Sequence, residues 1–273
     1  MTHTPHEHVQ TEILDLDAEV LAEHTASVIA WLPVTRAPRR IVDLGAGTGA
    51  GTFALLAHFP EAHVTAVDAS PEHLHRLQEK ARANGVADRV HTAQADLDAA
   101  WPDLGTPDLV WASASVHHLA DPDRALRRVH DALVPGGLLA LVELAGFPRF
   151  LPDEVPEERP GLEVRLHAEG DRRSAAHMPH RGADWGPRLR AAGFTLAGER
   201  TITAHVGRSR SDAVGRYALQ GLRRMRDAVA DALPADDLAA WRRLLDTDGP
   251  GSLLSRDDLA LRTERSVWAA RRA

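Results

Sequence analysis

The stretch Ile41-Val42-Asp43-Leu44-Gly45-Ala46-Gly47-Thr48-Gly49 runs from a short apolar segment into a glycine-rich turn, and the residues after it are rich in Ala and Leu. It reads as strand, tight loop and helix start. Glycines at 45, 47 and 49 let the backbone reach positive φ and approach a ligand closely, while the unpaired N–H groups of the following helix point at that ligand. A nucleotide-like cofactor fits such a loop. Gly45, Gly47 and Ala50 also satisfy the dinucleotide pattern G-x-G-x-x-G/A, so the surrounding residues have to decide.

Downstream, His63-Val64-Thr65-Ala66-Val67-Asp68-Ala69-Ser70 is a second apolar run that closes on an acid. A carboxylate at the end of the second strand of an adenosine-binding α/β fold accepts hydrogen bonds from a ribose diol, which places Asp68, with Ala69 and Ser70, at the cofactor. A plainer role for Asp68 is to cap the helix that starts near Pro71. A third run, Arg89 to Ala93, ends in Gln94-Ala95-Asp96-Leu97. Asp96 is placed to accept from an exocyclic amine, with Leu97 against the ring. The fourth run, Pro107 to Trp111, leads into Ala112-Ser113-Ala114-Ser115-Val116-His117-His118-Leu119. The fifth, Leu138 to Glu143, follows a Pro-Gly-Gly turn at 135–137. Helical stretches at 71–84 and 122–133 alternate with these runs, the pattern of a parallel sheet with helices on both faces. Ligands bind beyond the carboxyl ends of such strands, where these polar residues fall.

The ordered set resembles the class I S-adenosylmethionine-dependent methyltransferases, over roughly residues 40–145. Asp43 to Gly49 resembles that family's glycine motif, Asp68 its ribose acid, Ala95-Asp96-Leu97 its adenine-side motif, and Leu133 to Gly137 the turn before its fifth strand. More narrowly, the chain is similar to actinobacterial small-molecule methyltransferases. The resemblance implies a Rossmann-like, mainly parallel seven-stranded sheet with helices on both faces and helical cover segments. It implies S-adenosyl-L-methionine held by Asp43, Gly45, Ala46, Gly47, Thr48, Gly49, Asp68, Ala69, Ser70, Ala95, Asp96, Leu97 and Ser113. An NAD(P)-dependent oxidoreductase would carry a similar loop. Yet Tyr217 and Lys80, the chain's one tyrosine and one lysine, are too far apart for a Tyr-x-x-x-Lys relay, and no cysteine exists for thiohemiacetal or zinc chemistry.

Flanking regions divide the 273 residues into an N-terminal helical cover (1–38), the cofactor core (39–146), a lid loop with a helix and a sixth strand read from the runs 193–196 and 201–204 (147–210), a helical insertion (211–258) and a last strand (259–273). Apolar positions from Ile13 to Leu32 are helically spaced. Residues 147–184 lack periodicity, and long connections of this kind tend to be functional lids. Over residues 211–233, Val214, Tyr217, Ala218, Leu222, Met225, Val229 and Leu233 form one face of an amphipathic helix, with Arg216, Arg223, Arg224 and Arg226 around it as a solvated basic face.

Methyl transfer needs alignment of donor and acceptor, and proton removal where the acceptor demands it. His117 and His118 follow the fourth strand and Glu143 ends the fifth, which makes them the catalytic candidates. Phe147 and Trp185 are candidates for a substrate wall. His177-x-x-His180 is interrupted by Pro179, and His3, His6 and His8 lack carboxylate partners, so no metal site is expected. A net charge of −7 and the absence of cysteine and of long apolar runs point to a cytoplasmic protein with a small-molecule acceptor, without nucleic-acid or membrane partners. A homodimer stays open. So do a non-methyl reaction such as a cyclisation that uses the sulfonium charge, and a catalytically silent assembly subunit.

Overall fold

The computed structural model describes residues 5–273, with side-chain detail from Val9 onward. His3 lies outside the described residues, as do the side chains of His6 and His8. Strands β1 (Arg40–Leu44), β2 (His63–Asp68), β3 (Val90–Gln94), β4 (Leu109–Ser113), β5 (Leu138–Leu144), β6 (Thr195–Gly207) and β7 (Ala260–Arg271) form one sheet in the order β3-β2-β1-β4-β5-β7-β6. The first five run parallel, and β7 enters antiparallel between β5 and β6. This is the α/β architecture that the alternating apolar runs imply.

Alternation along the strands decides which helix meets which face. Ile41 packs with α2 (Ala22–Trp31) and α3 (Ala50–His58), through Val28, Ile29, Leu55 and Leu56. Val42 and Leu44 face the other way, towards Leu126 and Val129 of α5 (Pro122–Ala132) and Leu189 of α7 (Gly186–Ala191). Asp43 shares the face of Ile41. It is therefore the carboxylate, among apolar neighbours, that meets α3. Helix α4 (Pro71–Ala83) starts with Ser70 as its cap, the Ser70 hydroxyl accepting from His73 N at 3.3 Å.

A second core lies beyond the sheet. Helices α1 (Pro5–Val20), α6 (Leu162–Ala175), α8 (Ala213–Val229) and α9 (Ala235–Leu244) bury Leu16, Leu166, Leu222 and Trp241 together with Leu261 of β7. Two expectations change here. The stretch read as an aperiodic lid loop holds α6, whose buried positions 162, 163, 166, 167 and 170 are helically spaced but filled by Leu, Glu, Leu, His and Gly. Glu163 uses its buried carboxylate to accept from Phe150 N and Leu151 N, which ties the loop after β5 to α6. The sixth strand, read as short runs at 193–196 and 201–204, is one 13-residue edge strand with a bulge between Leu196 and Gly198. No helix among the described residues is long and apolar enough to cross a membrane.

Candidate functional site

The loop after β1 turns back as soon as the strand ends, because Gly45 N and Ala46 N both donate to Val67 O at the end of β2. Gly45 has φ +69°, and a Cβ placed on it would lie 2.3 Å from Ser115 Cβ. Only glycine fits a backbone pressed so closely against the turn after β4. Ser115 completes the contact by donating to Leu44 O at 2.8 Å. Ala114 just before it has φ +51°, a left-handed conformation that L-residues seldom adopt and that aims Ser115 back at β1.

Asp68 sits across this loop at the tip of β2. Its Oδ2 accepts from Gly47 N at 2.8 Å, and its Oδ1 accepts from Ser70 N at 2.8 Å and lies 3.3 Å from His73 Nδ1. Burial alone would raise its pKa, but the donors His73, Ser70 N and Gly47 N together hold the carboxyl below its ordinary value. Asp43 shows the opposite balance. Burial pushes it up to about 7, although the Thr52 hydroxyl donates to its Oδ2 at 2.7 Å.

These loops surround a cavity of about 490 Å³ at the carboxyl ends of the parallel strands. Such a volume lies within the range of about 300–1,000 Å³ common to small-molecule sites. Asp43, Gly45, Ala46, Gly47, Thr48, Asp68, Ala69, Ala95, Asp96, Leu97 and Ser113 all line it. Gly49 and Ser70 do not: they stand at the starts of α3 and α4 and hold those helix termini in place. The catalytic candidates separate. His118 lines the cavity, whereas His117 and Glu143 are buried beside it, His117 Nδ1 lying 2.5 Å from Glu143 Oε2. Glu143 Oε1 also accepts from Val116 N and His117 N, so its carboxylate is committed to the turn that carries His118. At that turn, desolvation and the charges of His117, Arg224 and Arg181 push the pKa of His118 down to about 4, leaving a neutral ring near pH 7. Trp185 is core, packed with Leu189 and Phe194, while Phe147 lies under the guanidinium of Arg181.

Several lining residues have no signal in the motifs. Ser115 lies two residues past Ser113 in a run of small residues, and His73 is hidden in an ordinary helix start. Asp17 of α1 and Arg265 of β7 close the cavity from above, joined by hydrogen bonds from Arg265 Nη2 at 2.7 and 2.9 Å. Tyr217 of α8 donates to Asp17 as well, at 2.8 Å.

The cradle fits a nucleoside-bearing cofactor: an open glycine backbone, a partly buried carboxylate at the second strand and an acid with an apolar neighbour after the third. Comparison with known proteins agrees. A model described as a methyltransferase domain matches residues 42–139. A trans-aconitate 2-methyltransferase of Methylobacterium nodulans is 30% identical over 229 residues, which cover 81% of this chain and 82% of that enzyme. Coverage varies among the relatives, the chain spanning only 28% of the length of one of them. Solved structures share the fold. A Bacillus halodurans protein assigned as a methyltransferase matches at TM-score 0.56 and 18% identity, over 92% of this chain and 99% of that one. A Haemonchus contortus phosphoethanolamine N-methyltransferase 2 bound to S-adenosyl-L-methionine matches at 0.50 and 16%, over 92% and 52%. On the cradle and the extended relationship together, this chain belongs to the class I S-adenosylmethionine-dependent methyltransferases.

Proposed function

We propose that the protein transfers a methyl group from S-adenosylmethionine to an oxygen of a small carboxylic acid. The observation that carries this reading is the environment of His118. It is the candidate base that lines the cavity, and with its pKa near 4 it is a weak proton acceptor at neutral pH. A carboxylic acid arrives already ionised and needs no base. The name of the Methylobacterium nodulans relative, a trans-aconitate methyltransferase, points to the same acceptor class.

S-adenosylmethionine supplies a methyl carried on a sulfonium, whose positive charge is lost as the methyl moves in line to the acceptor. The chain's own part is alignment and exclusion of water. Gly45 and Gly47 offer the close backbone, Asp68 a ribose acceptor, and Asp96 with Leu97 an adenine edge. Asp17 and Arg265 cover the cavity, and His118 offers a neutral hydrogen-bonding ring beside the acceptor space. His117 and Glu143 position that ring and touch no substrate.

Incubation with S-adenosylmethionine and trans-aconitate, followed by mass spectrometry, is the test. The expected products are S-adenosylhomocysteine and a methyl ester. Methylation confined to amines would overturn the acceptor class, and a transformed acceptor without S-adenosylhomocysteine would favour a non-methyl reaction.

A further inference from the structure

A second group of residues stands beside His118, outside the cofactor cradle. Arg181 has a side chain only 9% exposed. Its Cζ lies 3.8 Å from the centroid of Phe147, and its Nη2 donates to Asp171 at 2.7 Å. Its Nη1 is fully buried and has no hydrogen-bond partner among the described residues. A buried guanidinium N–H left unpaired is costly, and in a native fold it calls for an explanation.

The surroundings converge from three directions. Gly182 packs its backbone against Ala145 O, just past the carboxyl end of β5. Gly170 of α6 lies against both Phe147 and Met225 of α8. Next to Met225 is Arg224, which has no ion pair or hydrogen bond among the described residues, although partial desolvation lowers its pKa. Both arginines act electrostatically on the His118 ring, which faces the cavity. Two guanidinium groups, with Asp171 as the one acid paired to either among the described residues, leave a net positive corner. Helix α8 was read from the sequence as carrying a solvated basic face; Arg224 is exposed as that reading has it, but stands unpaired among the described residues.

We infer that Arg181 and Arg224 form an anion subsite that holds a non-reacting carboxylate of a di- or tricarboxylic acceptor, while another carboxylate is presented to the methyl donor. The guanidinium fork suits this task, since it binds a carboxylate through two parallel N–H donors and keeps its charge at any working pH. Nη1 of Arg181 gains the acceptor it lacks, and the Phe147 ring keeps the fork in plane. This deepens the proposed methyl transfer and rests on it.

Calorimetry on the full chain loaded with S-adenosylhomocysteine reads the subsite directly, with trans-aconitate, tricarballylate and succinate as polycarboxylate probes and crotonate as the monocarboxylate. At least one polycarboxylate is expected to bind more tightly than crotonate. Arg224→Gln and Arg181→Gln should each weaken that binding tenfold or more, leaving crotonate and S-adenosylhomocysteine affinities within about twofold. Arg224 is exposed, so its variant keeps the test valid should the Arg181 variant fail to fold. Failure of every polycarboxylate to bind the loaded wild-type protein, or unchanged binding in the Arg224 variant, overturns the subsite. Failure of S-adenosylhomocysteine itself to bind would instead sink the methyl-transfer reading, and the same titrations without it would still read the arginines.

Discussion

His117 Nδ1 lies 2.5 Å from Glu143 Oε2, and neither side chain reaches the cavity that their turn helps to shape. Glu143 thus serves three donors at once: Val116 N, His117 N and the His117 ring. Glu143→Ala leaves all of them buried and unpaired, and should destabilise the protein by about 3–5 kcal/mol. Urea denaturation measures this, and a cycle with His117→Ala should return a coupling of about 0.5–3 kcal/mol. A variant of unchanged stability with a raised KM would mean that Glu143 faces the acceptor.

Asp68 gives the second prediction. Because its carboxylate is held ionised and already orders Gly47, Asp68→Ala should weaken S-adenosylhomocysteine binding by about 1.5–3 kcal/mol, roughly ten- to a hundredfold. Calorimetry decides. Wild-type affinity in the variant would remove Asp68 from the cofactor site.

Gly45 and Gly105 form a natural comparison. Both have positive φ, +69° and +61°, but a Cβ on Gly105 meets nothing within 4 Å, whereas one on Gly45 strikes Ser115. Gly105→Ala should cost only the left-handed strain of about 1–2 kcal/mol and spare cofactor affinity. Gly45→Ala should cost more and abolish measurable binding. Equal melting temperatures for the two variants would contradict the close approach of the two loops.

Asp43 links stability to pH. Its carboxyl titrates at about 7 in the fold against 3.8 for the free group, so the native state holds a proton that the unfolded chain has already lost. Stability should therefore fall as pH rises from about 4 to 7, by about 4 kcal/mol in total, and level off above. Asp43→Asn removes the titration. Its stability relative to wild type, followed by denaturation between pH 5 and 8, should rise with pH. A constant difference would show that Asp43 is ionised throughout.

His118 separates alignment from general-base catalysis. With a pKa near 4 its ring stays neutral over the working range, so His118→Gln should lower kcat less than about tenfold and leave the pH profile between 6 and 9 unchanged. A loss of more than a hundredfold, with the loss of a titrating limb, would restore it as a base.

The central strands were legible because β1, β4 and β5 are covered on both faces and read as apolar runs, interrupted only near their carboxyl ends by Asp43 in β1 and Glu143 in β5. β6 was legible only in fragments. As an edge strand it buries little, and Gly198, Glu199 and Arg200 interrupt the pattern just where the bulge falls. Helix α6 escaped because its inward positions carry Glu163, whose carboxylate finds its buried donors only after folding, and His167, buried beside it.

The candidate site divides along the same line. Gly45, Asp68 and Asp96 sit on local turns whose chemistry a short window contains. Asp17 and Arg265 meet across a separation of 248 residues, and no window holds both. Arg181 and Arg224 gain their meaning from Phe147 and from packing between α6 and α8, which composition does not reveal.

Lys80 is the chain's one lysine, and it is spent on joining α1 to the glycine loop: its ammonium donates to Asp15 and, at 3.2 Å, to Thr48 O. The protein therefore carries a built-in reporter. An amine-selective acylating reagent can mark one internal position, and that position lies where the roof of the cavity meets its floor. The rate of labelling at Lys80 then follows how often this joint parts, without any introduced probe, and can be timed with and without S-adenosylhomocysteine in a single peptide mass.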